Sequence, residues 1–200
     1  MNTKKKGDDF FATHTFERLM TNDEKRLSML RSFSKRTLSS DFLEGKRILE
    51  LNATNITYTN HLFDLGIEDY TGLNFDPDVV ERLNKQNINK SACFELLKNS
   101  INFGSFEDYD LIISFGFLES LSRFELFPFF EKGKDKLHLH SFMNNNREFK
   151  NSVKRVFVNG FPMSHDMEYV SAALSPESEW HELSSKNFRD HVIISNFSNH

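Results

Sequence analysis

From residue 46 onward, apolar positions fall into short runs separated by stretches with helical spacing. Arg47–Leu51 reads as a strand, Tyr58–Leu65 as a helix stopped by Gly66, and Tyr70–Phe75 as a second strand. Asp76-Pro77-Asp78 predicts a helix start: Asp suits the N-cap, and at the first helical position the N–H that Pro lacks is not needed. Val79, Val80, Leu83 and Ile88 give that helix an apolar side. Cys93–Leu97 is a third strand, and the nearly continuous apolar run Asp110–Phe115 suits a central parallel strand covered on both faces. Leu118–Phe130 predicts a helix that breaks late, at Pro128. That phasing puts Phe124 and Phe127 beside Leu121 against the sheet and leaves Phe129 and Phe130 partly exposed. Lys136–Phe142 is a fifth strand, and Glu179–Leu183 with His191–Phe197 would make an antiparallel hairpin at one edge.

Upstream, Thr21-Asn22-Asp23-Glu24 is a capping box and predicts a helix over 22–37. Strands alternating with helices imply an α/β fold, a mostly parallel sheet built from βαβ units. One domain accounts for the chain: a helical extension over 1–45, a core over 46–143, and a cap loop with edge strands over 144–200.

Composition narrows the function classes. A single Cys excludes an intramolecular disulfide and a cysteine-based zinc cluster, and it fits a reducing, cytoplasmic setting. A net charge of −4 gives no bulk reason to bind nucleic acid. No apolar run reaches the roughly 18 residues of a membrane span, and Met1–Phe10 has no signal-type apolar region. Phe is abundant, 22 of 200 residues, while Gly is scarce at 8.

Several groups invite chemical readings. His138 and His140 share one face of the fifth strand at the spacing of a metal pair, which His165 with Asp166 or His181 with Glu182 could complete. Two ordinary strand histidines are the simpler reading, and no metal is expected. The contiguous Ser164-His165-Asp166 is no hydrolase triad, because triad members converge from separate segments. Val158–Val170 reads as a surface loop with a short helix or as a cap offering His165, Asp166, Glu168 and Tyr169 to a substrate. The aromatic run Phe124, Phe127, Phe129 and Phe130 reads either as a surface for a protein partner or a second copy, or as packing for Phe10, Phe11 or Phe16.

Three segments in order carry a family resemblance: Arg47–Ile56, Tyr70–Pro77 and Phe106–Leu121. Together they resemble the core of class I S-adenosylmethionine-dependent methyltransferases, which implies a Rossmann-like doubly wound sheet with helices on both faces. The resemblance implies S-adenosylmethionine as cofactor, with Glu50, Asn52, Ala53, Thr54, Asn74, Phe75 and Phe115 at the positions that would line its site. In that family a Gly-x-Gly-x-Gly turn follows the first strand, so that backbone can approach the ligand with no Cβ in the way. Here Asn52, Thr54 and Ile56 stand at those places. Asn tolerates the left-handed region; β-branched Thr and Ile do not, so a relaxed turn of different shape is expected. The family's acidic ribose partner is replaced by Asn74, which offers one acceptor and one donor group where a carboxylate accepts twice. Ser120 stands where many small-molecule members carry a His, and no catalytic residue is assigned. Two functions lead, with binding of another nucleotide or metabolite in the altered cleft as a third. One is a non-catalytic partner or regulatory subunit with an eroded cofactor site. The other is an active methyltransferase acting on a small molecule or glycan.

Overall fold

A computed structural model describes residues 38–98, 105–143, 170, 172–174, 179–182 and 191–197. The expectations for the N-terminal helix over 22–37, for Phe10, Phe11 and Phe16, for Asn144-Asn145-Asn146 and for Ser164, His165, Asp166, Glu168 and Tyr169 lie outside the described residues.

The described residues build one sheet. Its strands are β1 (Arg47–Leu51), β2 (Asp69–Asn74), β3 (Ala92–Leu96), β4 (Leu111–Phe115), β5 (Leu137–Met143), β6 (His181–Glu182) and β7 (His191–Ser195). The order is β3-β2-β1-β4-β5-β7-β6. Strands β1 to β5 run parallel, and β7 pairs antiparallel with both β5 and β6, as the edge hairpin requires. The helices are α1 (Ser40–Leu43), α2 (Ile56–Asp64), α3 (Pro77–Gln86) and α4 (Arg123–Lys132), with a 3₁₀ turn at Leu118–Ser120.

Alternation along the strands sorts the core into two layers. Ile48, Tyr70, Phe94, Ile113 and Leu139 pack with Leu43, Tyr58, Leu62 and Leu83 from α1, α2 and α3. Leu49, Leu51, Leu73, Ile112 and Ile194 pack on the other side with Leu126, Phe129 and Phe130 of α4. The sheet is therefore covered on both faces, and β4 is buried along its whole length. Local signals fix the helix starts: Asn55 caps α2 by accepting from Thr57 and Tyr58 N–H, and Asp76 caps α3 ahead of Pro77.

The stretch after β4 departs from expectation. Helix α4 does not run from Leu118, nor does it end at Pro128; Leu121 is extended, a new helix starts after Ser122, and it continues to Lys132. The Glu125 carboxylate accepts the Ser122 N–H at 2.6 Å, which anchors this fresh start. The interruption resets the helical phase. Leu126, Phe129 and Phe130 become the buried stripe, at 1% exposure each, whereas Phe124 is 92% and Phe127 57% exposed. Pro128 is tolerated because it lies on the exposed side with Phe124, where water can take the carbonyl left without an N–H partner.

Candidate functional site

The C-terminal ends of β1, β2 and β4 lie side by side, the place where open parallel α/β sheets bind ligands. The sequence-predicted residues Glu50, Asn52, Ala53, Thr54, Asn74, Phe75 and Phe115 all belong to these tips or the turns that follow. Their side chains do different things.

Asn52 begins the turn with φ +66°, alone among the described non-glycine residues in taking positive φ. Its short amide suits that region, and its Nδ2 donates to the Phe115 carbonyl at 3.1 Å, tying the tips of β1 and β4 together. Thr54 and Ile56 avoid positive φ, and Ile56 is simply the first residue of α2. Ala53 is buried, and its N–H donates to Leu73 O at 2.9 Å. A Cβ added to Gly72 would lie 2.8 Å from the Ala53 Cβ, so the glycine in β2 is what lets the turn pack this closely. The Thr54 carbonyl accepts from Arg82 of α3 at 3.4 Å.

Asn74 is 5% exposed and points back into the protein. Its Nδ2 donates to Ala53 O at 2.7 Å and, at 3.4 Å, to Asn52 Oδ1. Its Oδ1 accepts the Asp76 N–H at 2.8 Å, an Asx-type turn into α3. Both halves of the amide are thus engaged. Phe75 is 38% exposed and lies parallel to Phe117, with centroids 5.9 Å apart and planes at 9°. Phe115 is buried and meets the edge of Tyr58.

Glu50 lies beneath the turn at 3% exposure and accepts a 2.6 Å hydrogen bond from the Tyr70 hydroxyl. Burial first, and then the Glu50 carboxylate, push the Tyr70 phenol well above its ordinary range. The phenol therefore stays protonated and serves the carboxylate as a donor. Ser120 turns its hydroxyl back onto Phe117 O at 2.6 Å, across the 3₁₀ turn.

His138 and His140 share a face of β5 as predicted, yet they bond each other. His138 Nδ1 lies 2.9 Å from His140 Nε2, and both rings are buried. No set of three metal-ligating side chains gathers among the described residues. The Tyr70–Glu50 pair and the internal bonds of Asn74 were missed by sequence reasoning. A polar residue at a strand position whose neighbours alternate into a covered face is the available signal, and Glu50 and Tyr70 both carry it.

No protein-family model matches the chain, and no curated protein matches it. Solved structures do. Magnesium protoporphyrin IX methyltransferase from Synechocystis PCC 6803, with bound SAH, aligns at TM-score 0.66 and 13% identity, over 94% of this chain and 96% of that one. An S-adenosylmethionine-dependent methyltransferase from Mesorhizobium loti aligns at TM-score 0.63 and 12% identity, over 86% and 96%. The chain has the class I S-adenosylmethionine-dependent methyltransferase fold. A chain of the complex between the Haloferax volcanii Trm112 methyltransferase activator and a methyltransferase also aligns, at TM-score 0.57 and 13% identity, over 99% and 100%. In the described part of this methyltransferase fold no helix is long and apolar enough to cross a membrane.

Proposed function

We propose that this is a methyltransferase-fold protein whose S-adenosylmethionine site is closed by internal hydrogen bonds, and that it works as a partner or regulatory subunit. The observation that carries this reading is Asn74. A residue at the tip of β2 grips a ribose through free acceptors, but this amide already bonds Ala53 O, Asp76 N–H and Asn52 Oδ1. Binding a ribose there would break bonds of about 1 kcal/mol each in buried surroundings. Thr54 and Ile56 add Cβ branches where a close backbone approach needs none. The residues present thus fit the cofactor poorly.

The same reading assigns contact with a protein partner to the exposed side of α4, through Phe124 and Phe127. Phe129 and Phe130, counted on that surface in the sequence reading, are buried and drop out of it. A fold neighbour in complex with a methyltransferase activator supports a partner-bearing role, and the occupant we favour is a different protein rather than a second copy. The second reading, an active methyltransferase on a small molecule or glycan, draws on Asn52, which keeps the left-handed start of a cofactor turn without glycine.

Calorimetric titration with S-adenosylmethionine and its demethylated product tests both. No binding at millimolar ligand is expected; micromolar binding would overturn the closed-site reading. For the partner surface, Phe124→Asp with Phe127→Asp should abolish capture of the partner retained by the unmodified chain. Retained capture, or a dimer in light scattering lost in the variant, would assign the face differently.

A further inference from the structure

Beneath α4 runs a buried polar string that neither reading uses. Ser114 Oγ lies 2.8 Å from His140 Nδ1, His140 Nε2 lies 2.9 Å from His138 Nδ1, and His138 Nε2 lies 2.6 Å from Gly133 O. The carbonyl at the end can only accept, which fixes the direction of the whole chain. His138 carries its proton on Nε2 and donates to Gly133; His140 carries its own on Nε2 and donates to His138; the Ser114 hydroxyl donates to His140 Nδ1. With both rings neutral this is the one arrangement that satisfies the string, and it uses every ring nitrogen. Gly133 closes the string, because a Cβ there would lie 2.7 Å from His138.

The pair's immediate neighbours are mostly apolar. Strand β4 offers Ile112 and Ser114, and β7 offers Ile194 beside His140 and Asn196 at the foot of His138. From α4 come Phe129 and Phe130, and ahead of β6 comes Trp180, each within 6.2 Å of an imidazole centroid. Glu131, Lys132, Lys134 and Asp135 are exposed, and Lys136 sends its ammonium to Glu107 O. Ahead of β6, Glu179 is exposed; on β6, His181 sits in the row of Leu139, on the opposite face of the sheet from the pair. Glu182 stands in the row of Ile194 and His140, beyond β7, an acidic residue at a register position on the pair's face.

We propose that Ser114, His140 and His138 form an acid-released latch, which holds α4 and Trp180 on the sheet only while both imidazoles are neutral. A proton arriving at His140 Nδ1 forces the Ser114 hydroxyl to turn from donor to acceptor, one at His138 Nδ1 forces His140 to change tautomer, and either places charge in a largely apolar box. Burial lowers His138 to about 4 against the opposing Gly133 hydrogen bond, and burial and then His138 hold His140 well below its ordinary value. The sign follows. Both groups bind protons more tightly once released, so the closed state is fully favoured above the ordinary imidazole value of about 6.5 and is lost as pH falls below it. With two protons taken up, opening becomes about a hundredfold easier per pH unit.

Trp180 is the chain's one tryptophan and packs on His138 and Phe130, so its fluorescence reads the latch locally. In an acid titration of the full chain, Trp180 emission should change with two-proton steepness between about pH 6.5 and 4, before far-UV circular dichroism falls. His138→Gln with His140→Gln should remove the step, and Ser114→Ala, which deletes a donor that only the neutral ring accepts, should move it to higher pH. If the double variant does not fold, nitrogen-detected NMR of the unmodified protein at pH 7.5 still decides: both Nδ1 atoms should be unprotonated acceptors. A doubly protonated ring at that pH, a fluorescence step that coincides with global unfolding, or one that survives in a folded double variant would overturn the latch.

Discussion

The tips of β1, β2 and β4 and the helix α4 are neighbours with opposite habits. At the tips, Glu50, Asn52 and Asn74 turn polar atoms inward and spend them on Tyr70, Phe115 O, Ala53 O and Asp76 N–H. On α4, apolar rings point both ways: Phe129 and Phe130 are inside while Phe124 and Phe127 are outside. A region built to bind a polar cofactor would keep its polar atoms available, and a helix built only for the core would keep its rings covered. On the proposed reading, this difference places the chain's outward chemistry on α4 rather than at the strand tips.

The largest effect should come from the covered side of α4. Phe129 meets Phe106, Phe117, Phe130 and both strand histidines. Phe129→Ala should cost about 3–5 kcal/mol in urea unfolding, through lost transfer energy plus a cavity. A cost below about 1 kcal/mol would mean that the inner stripe is not the anchor of this helix.

Next comes the pair under the turn. Tyr70→Phe keeps the ring but takes the hydroxyl donor from a carboxylate that is 3% exposed. The expected loss is about 1–3 kcal/mol of stability. Unchanged stability would indicate that Glu50 draws its support from elsewhere.

The α/β order and every parallel strand were legible from short apolar runs between helical stretches, and β4, buried along its whole length, writes the most continuous of them. The start of α3 was legible because Asp76 and Pro77 are local signals. The phase of α4 was not. It depends on where a new helix starts, and Leu121 joins the 3₁₀ turn to α4 through an extended residue that apolar spacing does not announce. At the site, the left-handed Asn52 was readable from residue chemistry, whereas the inward turn of Asn74 depends on Ala53 O lying 2.7 Å away, a long-range fact.

That inward turn can be undone. Asn74→Asp replaces the Nδ2 donor with an oxygen facing the Ala53 carbonyl, and like oxygens repel, so the carboxylate should swing toward the strand tips. There it would meet a ribose as a charge-assisted acceptor, worth roughly 1–2 kcal/mol over the amide. Calorimetry with S-adenosylmethionine should then detect binding that the unmodified chain lacks, or tightening of about 5–30-fold if weak binding exists. No gain would shift the blame to Thr54 and Ile56.

The smallest expected effect is the sharpest discriminator between the two regions. Phe124 is 92% exposed, so Phe124→Asp removes almost no buried area and should leave unfolding stability within about 0.5 kcal/mol. Asp near the first turn of α4 also favours the positive end of the helix dipole, which offsets part of any lost contact. A stability change that small, paired with loss of partner capture, separates surface function from core packing on one helix. A loss above about 1 kcal/mol would instead show that Phe124 is covered in solution by another part of the chain, and the outward face of α4 would then belong to the fold.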